Sequence, residues 1–151
     1  MRILIVNSEH PPIGGGAGNA SANLAKRLLD FGDQVTILTC SYKDFPKNTE
    51  EDGVHIRRVF SIRKELSRSS PLEQISFLIG SVIEGVFVVN NWKPDAIISF
   101  FGLPSGPLGW LGKRLYGIPY IVSLRGGDVP GFRTYDFGTL HKIAAPVIRG
   151  L

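Results

Sequence analysis

Pro11-Pro12-Ile13-Gly14-Gly15-Gly16-Ala17-Gly18 stands between the apolar run Ile3-Leu4-Ile5-Val6 and a helical pattern. That succession decides the fold. A near-continuous aliphatic run without alternation is buried on both faces, the mark of a central parallel strand, and it predicts one over residues 2–7. From Asn19, placed to act as an N-cap, the apolar residues Ala20, Leu24, Leu28 and Phe31 recur on one helical face, and Gly32 ends it. Residues 35–40 repeat the aliphatic pattern of a buried strand. Strand, glycine loop, helix and strand form a βαβ unit, which crosses over right-handedly. The loop sets bare N–H groups at the positive end of a helix, a ready place for an anion and commonly for phosphate.

Working outward, residues 41–53 are a polar connector containing the acidic run Glu50-Glu51-Asp52, expected as solvated loop. Residues 54–60 alternate imperfectly as a strand, and the basic, serine-rich 61–70 reads as a mobile segment. Pro71 suits the first turn of a long apolar helix over 72–89. Glu73, Gln74 and Glu84 interrupt that helix, so it is expected buried on most sides rather than spanning a membrane. Strands are predicted at 95–100 and 120–124, with a helix over 107–116 between them that Gly117 stops. A last helix is predicted over 139–149, strained by Pro146. The order β-α-β-β-α-β-α-β gives an α/β, doubly wound, mostly parallel, Rossmann-like sheet. The loops after the first strand, after Phe100 and after Leu124 would meet at its ligand-binding edge.

The chain has 151 residues, 43% hydrophobic and 20% charged, with a net charge of +4. One soluble globular domain fits that length and composition. The mild positive charge permits anionic ligands or an acidic membrane surface. No dense basic stripe appears, which argues against nucleic acid. Arg57-Arg58 with Arg63, Lys64 and Arg68 is the densest basic region, either a solvated face or a contact for an anionic surface. Cys40 is the only cysteine, so no internal disulfide forms and a reducing compartment fits. Met1 leads directly into a strand and leaves no room for a signal peptide. A cytoplasmic location is expected, open to peripheral contact at the inner face of the cell membrane.

Other glycine-loop chemistries fit poorly. Gly16-Ala17-Gly18-Asn19-Ala20-Ser21 approximates a dinucleotide fingerprint, but the residues 7–13 intervene after the strand. Thr39, Cys40 and Ser41 stand where that fingerprint needs an acid for a ribose hydroxyl. Asn19 and Ala20 replace the Lys-Ser/Thr pair of an NTPase phosphate loop. No nucleophile elbow, Cys/His zinc spacing or Asp-x-Asp metal motif is present, so neither a metal nor a resident cofactor is expected.

Four features together resemble the amino-terminal domain of the family 4 glycosyltransferases, retaining enzymes of the two-domain GT-B fold. The first is Glu9-His10-Pro11-Pro12 after the first strand, and the second is Gly15-Gly16 ahead of Leu24-Ala25 with Gly32-Asp33-Gln34-Val35 following. The third is Lys93-Pro94-Asp95 opening a strand, and the fourth is Ile118-Pro119-Tyr120 leading to Ser123-Leu124-Arg125-Gly126-Gly127-Asp128-Val129. The resemblance implies sugar transfer from a nucleotide-sugar donor to a saccharide or lipid-linked acceptor with retention of configuration. It implies that Gly15 and Gly16 meet the donor's phosphates. The leaving diphosphate, rather than a carboxylate nucleophile, would help to deprotonate the acceptor on the same face.

Arg125 stands where the family usually has histidine. Arginine is a permanently charged donor and cannot act as a base. Arg125 is therefore expected to hold a sugar or an acidic acceptor, with Asp128 orienting it or binding acceptor hydroxyls; these are the candidate catalytic residues. Gly14 and Gly18 are expected to serve the turn. His10 follows the first strand, where inverting relatives of the fold place a base, but the motif around it argues for a different role. His55 and His141 receive none. Residues 1–151 are expected to form the acceptor-side domain, truncated at its carboxyl end and inactive without a donor-binding domain. The competing reading is a non-catalytic α/β phosphate- or nucleotide-binding domain.

Overall fold

The computed structural model describes residues 1–125 and Asp128. The helix predicted over 139–149, together with His141, lies outside those residues. β1 (Arg2–Val6), α1 (Gly16–Asp30), β2 (Gln34–Cys40), β3 (Asn48–Glu51), β4 (Val54–Val59), α2 (Pro71–Trp92), β5 (Ala96–Phe100), α3 (Gly106–Tyr116) and β6 (Tyr120–Ser123) follow in chain order. They build one sheet in the order β3-β4-β2-β1-β5-β6. Every neighbouring pair is parallel except β3 with β4. The parallel strands thus wind outward in both directions from β1, a doubly wound α/β sheet.

The aliphatic strands supply both cores. Ile3, Ile5, Ile37 and Ile56 turn to the face covered by α1, where Ala25 packs. Leu4, Val6, Leu38 and Val59 turn to the other face, against Phe77 and Val88 of α2 and Leu108 of α3. Period-2 alternation within a doubly buried strand sends successive residues to opposite cores. Helix α2 begins with a capping box: the Ser70 hydroxyl accepts from the Glu73 N–H, and the Glu73 carboxylate accepts from the Ser70 N–H. At Gly80 it lies so close to the end of β4 that an added Cβ would collide with the Phe60 carbonyl oxygen.

Three expectations are revised. Asn48–Glu51 is an antiparallel edge strand, not solvated loop. Helix α1 starts at Gly16 with Gly15 as its cap, ahead of the Asn19 signal. Most consequentially, α2 is buried along only one side: Leu72, Ile75, Ile79, Ile83 and Phe87 are all exposed.

Candidate functional site

The ligand edge of a doubly wound sheet lies where neighbouring strands lead off in opposite directions, here at the carboxyl ends of β1 and β5. Three segments meet there. The loop after β1 descends from Asn7, whose buried side chain donates to the Ala17 carbonyl at 3.1 Å and to Ser21 Oγ at 2.8 Å. The same amide accepts from the Glu9 N–H through its oxygen. One asparagine therefore pins the start of the loop to the first turns of α1. Ile13 drops into the α2-side core and anchors the loop's middle.

The glycines divide into two kinds. Gly14 has φ +83°, and a Cβ there would collide with the Glu9 side chain at 2.5 Å. A Cβ at Gly18 would meet the Ile13 carbonyl oxygen at 3.1 Å. Gly15 and Gly16 have no such neighbour; a Cβ at either would face open space. Packing thus requires the outer pair to lack a side chain and makes no such demand of the inner pair. Gly15 already has an anion: its N–H donates to Glu9 Oε2 at 3.2 Å. Sequence reasoning missed this role of Glu9, because a carboxylate six residues before the N–H it serves carries no periodic signal.

Arg125 and Asp128 come together with the loop after β5. The Asp128 carboxylate, 7% exposed, accepts from the Gly102 N–H at 2.8 Å and the Arg125 N–H at 2.7 Å. It ties the ends of β5 and β6 through main-chain groups. The Arg125 guanidinium instead stacks on the Phe100 ring, 4.5 Å from its centroid. Cation–π contact holds the charge over the ring while the side chain as a whole stays exposed. Asp128 therefore holds the main chain at Arg125 rather than pairing with its guanidinium.

His10 is buried, with Nε2 3.1 Å from Glu51 Oε2 and no partner for Nδ1 among the described residues. Burial pushes the imidazole pKa down more than Glu51 raises it. Burial acts to raise the Glu51 pKa, but its bonds to His10 and Arg58 outweigh that and hold it below the usual carboxylate range. His10 thus ties the loop after β1 to edge strand β3. The Cys40 thiol is buried, donates to the Ser8 carbonyl at 3.0 Å, and is raised in pKa by that burial. It supports the same loop from below and is no nucleophile.

Comparison with known proteins places this geometry among relatives. Residues 15–151 match the Glycosyl transferase 4-like domain. An uncharacterized glycosyltransferase of Methanocaldococcus jannaschii is 32% identical over 128 residues, 85% of this chain and 33% of that protein. A D-inositol 3-phosphate glycosyltransferase of Thermobispora bispora is 31% identical over 113 residues, 73% of this chain and 26% of that protein. Sucrose-phosphate synthase from Thermosynechococcus elongatus shares the fold at TM-score 0.78 and 16% identity, over 99% of this chain and 39% of the other. The chain thus spans about a third or less of the length of the curated relatives it matches.

Proposed function

This chain belongs to the glycosyl transferase 4-like family, and from that premise we propose that it forms the acceptor side of a retaining glycosyltransferase. The enzyme moves a sugar from a nucleotide-sugar donor to a saccharide or lipid-linked acceptor. The match of residues 15–151 to the family's domain is the observation that carries the reading.

The site chemistry supports it. Gly15 and Gly16 leave main chain open at the start of α1, where a diphosphate gains from N–H groups and the helix dipole. Arg125, held over Phe100, offers a fixed positive donor group to a sugar or acidic acceptor. Asp128 holds the main-chain N–H of Arg125. Among the described residues, the carboxylates of Glu9 and Asp128 at this edge already accept main-chain N–H groups. That favours same-face attack, with the leaving diphosphate taking up the acceptor proton, over a covalent carboxylate intermediate. The protein's contribution is then positioning and charge stabilisation at the leaving group. Residues outside this span supply most of the donor site, and 1–151 alone is inactive. Cys40, buried and unbridged, suits the cytoplasm.

The test uses the protein expressed over its full natural length with a panel of nucleotide sugars and acceptors. Turnover with a retained anomeric configuration is expected for the full-length protein, and none for 1–151. Gly16→Val should lower kcat/KM for the donor by about tenfold or more while leaving the melting temperature unchanged. Absence of transfer across the panel, combined with tight binding of a nucleotide, would instead identify a binding module.

A further inference from the structure

Helix α2 presents to solvent what most helices hide. Leu72, Ile75, Ile79, Ile83 and Phe87 follow at helical spacing and are 75%, 54%, 53%, 67% and 53% exposed. They form one line along the side turned away from the sheet, because Phe77, Val88 and Val89 occupy the opposite side. The apolar surface continues off the helix through Phe60, Ile62 and Leu66, all exposed. Single exposed aliphatic residues are ordinary, but a contiguous row of this length marks a contact surface.

The charge beside the row identifies the partner. Arg63, Lys64 and Arg68 stand in the segment that joins β4 to α2, against one acid, Glu65. Lys64 and Arg68 are exposed and have no ion-pair partner among the described residues. The acids of α2 add little opposing charge. Glu73 is buried in the capping box, and Glu84 is bound by Lys47 at 2.5 Å and Arg57 at 2.6 Å. An apolar row with unneutralised cations at its border fits a surface that is oily within and anionic at its rim. A second copy would bring the same positive charge against it.

We propose that this face of α2, with the 61–70 segment, docks the protein on an anionic lipid bilayer. The helix is 22 residues long and apolar enough by composition to cross a membrane, but its inner side is committed to the end of β4 at Gly80 and to Leu108 of α3 at Gly85. It therefore lies in the interface, with the aliphatic row among the acyl chains and Lys64 and Arg68 at the headgroups. The Gly14 N–H donates to the Leu66 carbonyl at 2.7 Å, so the docked segment is hydrogen-bonded to the glycine loop. This proposal rests on the exposed face and its charge, and stands or falls separately from sugar transfer.

The test is cosedimentation of the full-length protein with phosphatidylcholine vesicles, with and without phosphatidylglycerol. Pelleting is expected with the anionic vesicles, much less with the neutral ones, and should fall with added salt. Ile75→Gln with Ile83→Gln should weaken partitioning by about tenfold or more. Lys64→Gln with Arg68→Gln should weaken it about twenty-five-fold, the product of two charges each giving about fivefold. All four side chains are exposed, and the two pairs probe the face independently should either impair folding. Lys113→Gln with Arg114→Gln on α3 should leave binding unchanged. An equal loss from the α3 pair, or failure of the wild type to pellet with anionic vesicles, overturns the proposal. A concentration-dependent dimer abolished by the isoleucine pair, without vesicle binding, would assign the face to a second copy and overturn it equally.

Discussion

Glu9 is the residue with the most to say about this site. Its carboxylate lies against Gly14 and accepts the Gly15 N–H, so the place suited to a diphosphate holds a negative charge of the protein's own. A bound anion must displace that charge or sit beside it. Glu9→Gln should therefore tighten binding of inorganic pyrophosphate by about fivefold, the worth of one nearby exposed charge. Isothermal titration of the full-length protein checks this, and an unchanged affinity would place the anion elsewhere. His10 makes a second prediction at this scale. Its pKa is lowered in the folded protein from the ordinary histidine value of 6.5, chiefly by burial, so the native state favours the neutral ring. Stability from this group is present above about pH 6.5 and is lost as pH falls through that value toward the lower native pKa. Melting temperature should drop on acidification from about pH 7.5 to 5.5, and His10→Gln should flatten that drop. Neither role was visible in the sequence. His10 and its partner Glu51 are separated by 41 positions, and the Glu9 contact depends on the left-handed turn at Gly14.

Among the elements, those whose own side chains fix their limits were legible. Pro71 opens α2 and Gly117 closes α3, as their backbone preferences require. The start of α1 was misplaced because its cap, Gly15, has no side chain to announce it. Strand β3 was missed because Asn48-Thr49-Glu50-Glu51 carries no apolar alternation. It is held by main-chain pairing with β4 and by Glu51 bonds to His10 and Arg58. Contact between α2 and β4 offers the prediction at this scale. Alanine improves helix propensity over glycine by at most about 1 kcal/mol. At Gly80 that gain meets a carbonyl oxygen that cannot rotate away, and overpacking costs about 1–3 kcal/mol. Gly80→Ala should thus lower the melting temperature by several degrees, roughly 2–6 °C. Gly112→Ala meets only the tip of Ile97 and should be milder. Calorimetry of the two variants orders them.

At the scale of the whole molecule, the aliphatic strands declared the doubly wound sheet, because burial on both faces leaves them mostly aliphatic, without a polar side. Which helix side is covered could not be read the same way. Apolar residues surround α2 in sequence, and only the structure shows that the sheet covers one side and leaves Ile79 and Ile83 outside. The site was legible as an edge rather than as a mechanism: the loops after β1, β5 and β6 gather there, while the division of labour between Asp128 and Arg125 depends on main-chain bonds. One of those main-chain bonds has a kinetic consequence. Gly14 surrenders its amide hydrogen to Leu66, across a gap of fifty-two positions in sequence. That hydrogen can exchange with solvent only when the 61–70 segment lifts from the glycine loop. In deuterated water the Gly14 amide is therefore a clock for this opening, readable by NMR without any ligand. It should tick at the pace of the segment's fluctuation and run faster when Leu66→Pro distorts its partner. Exchange as fast as in an unstructured peptide would show that the two loops move independently.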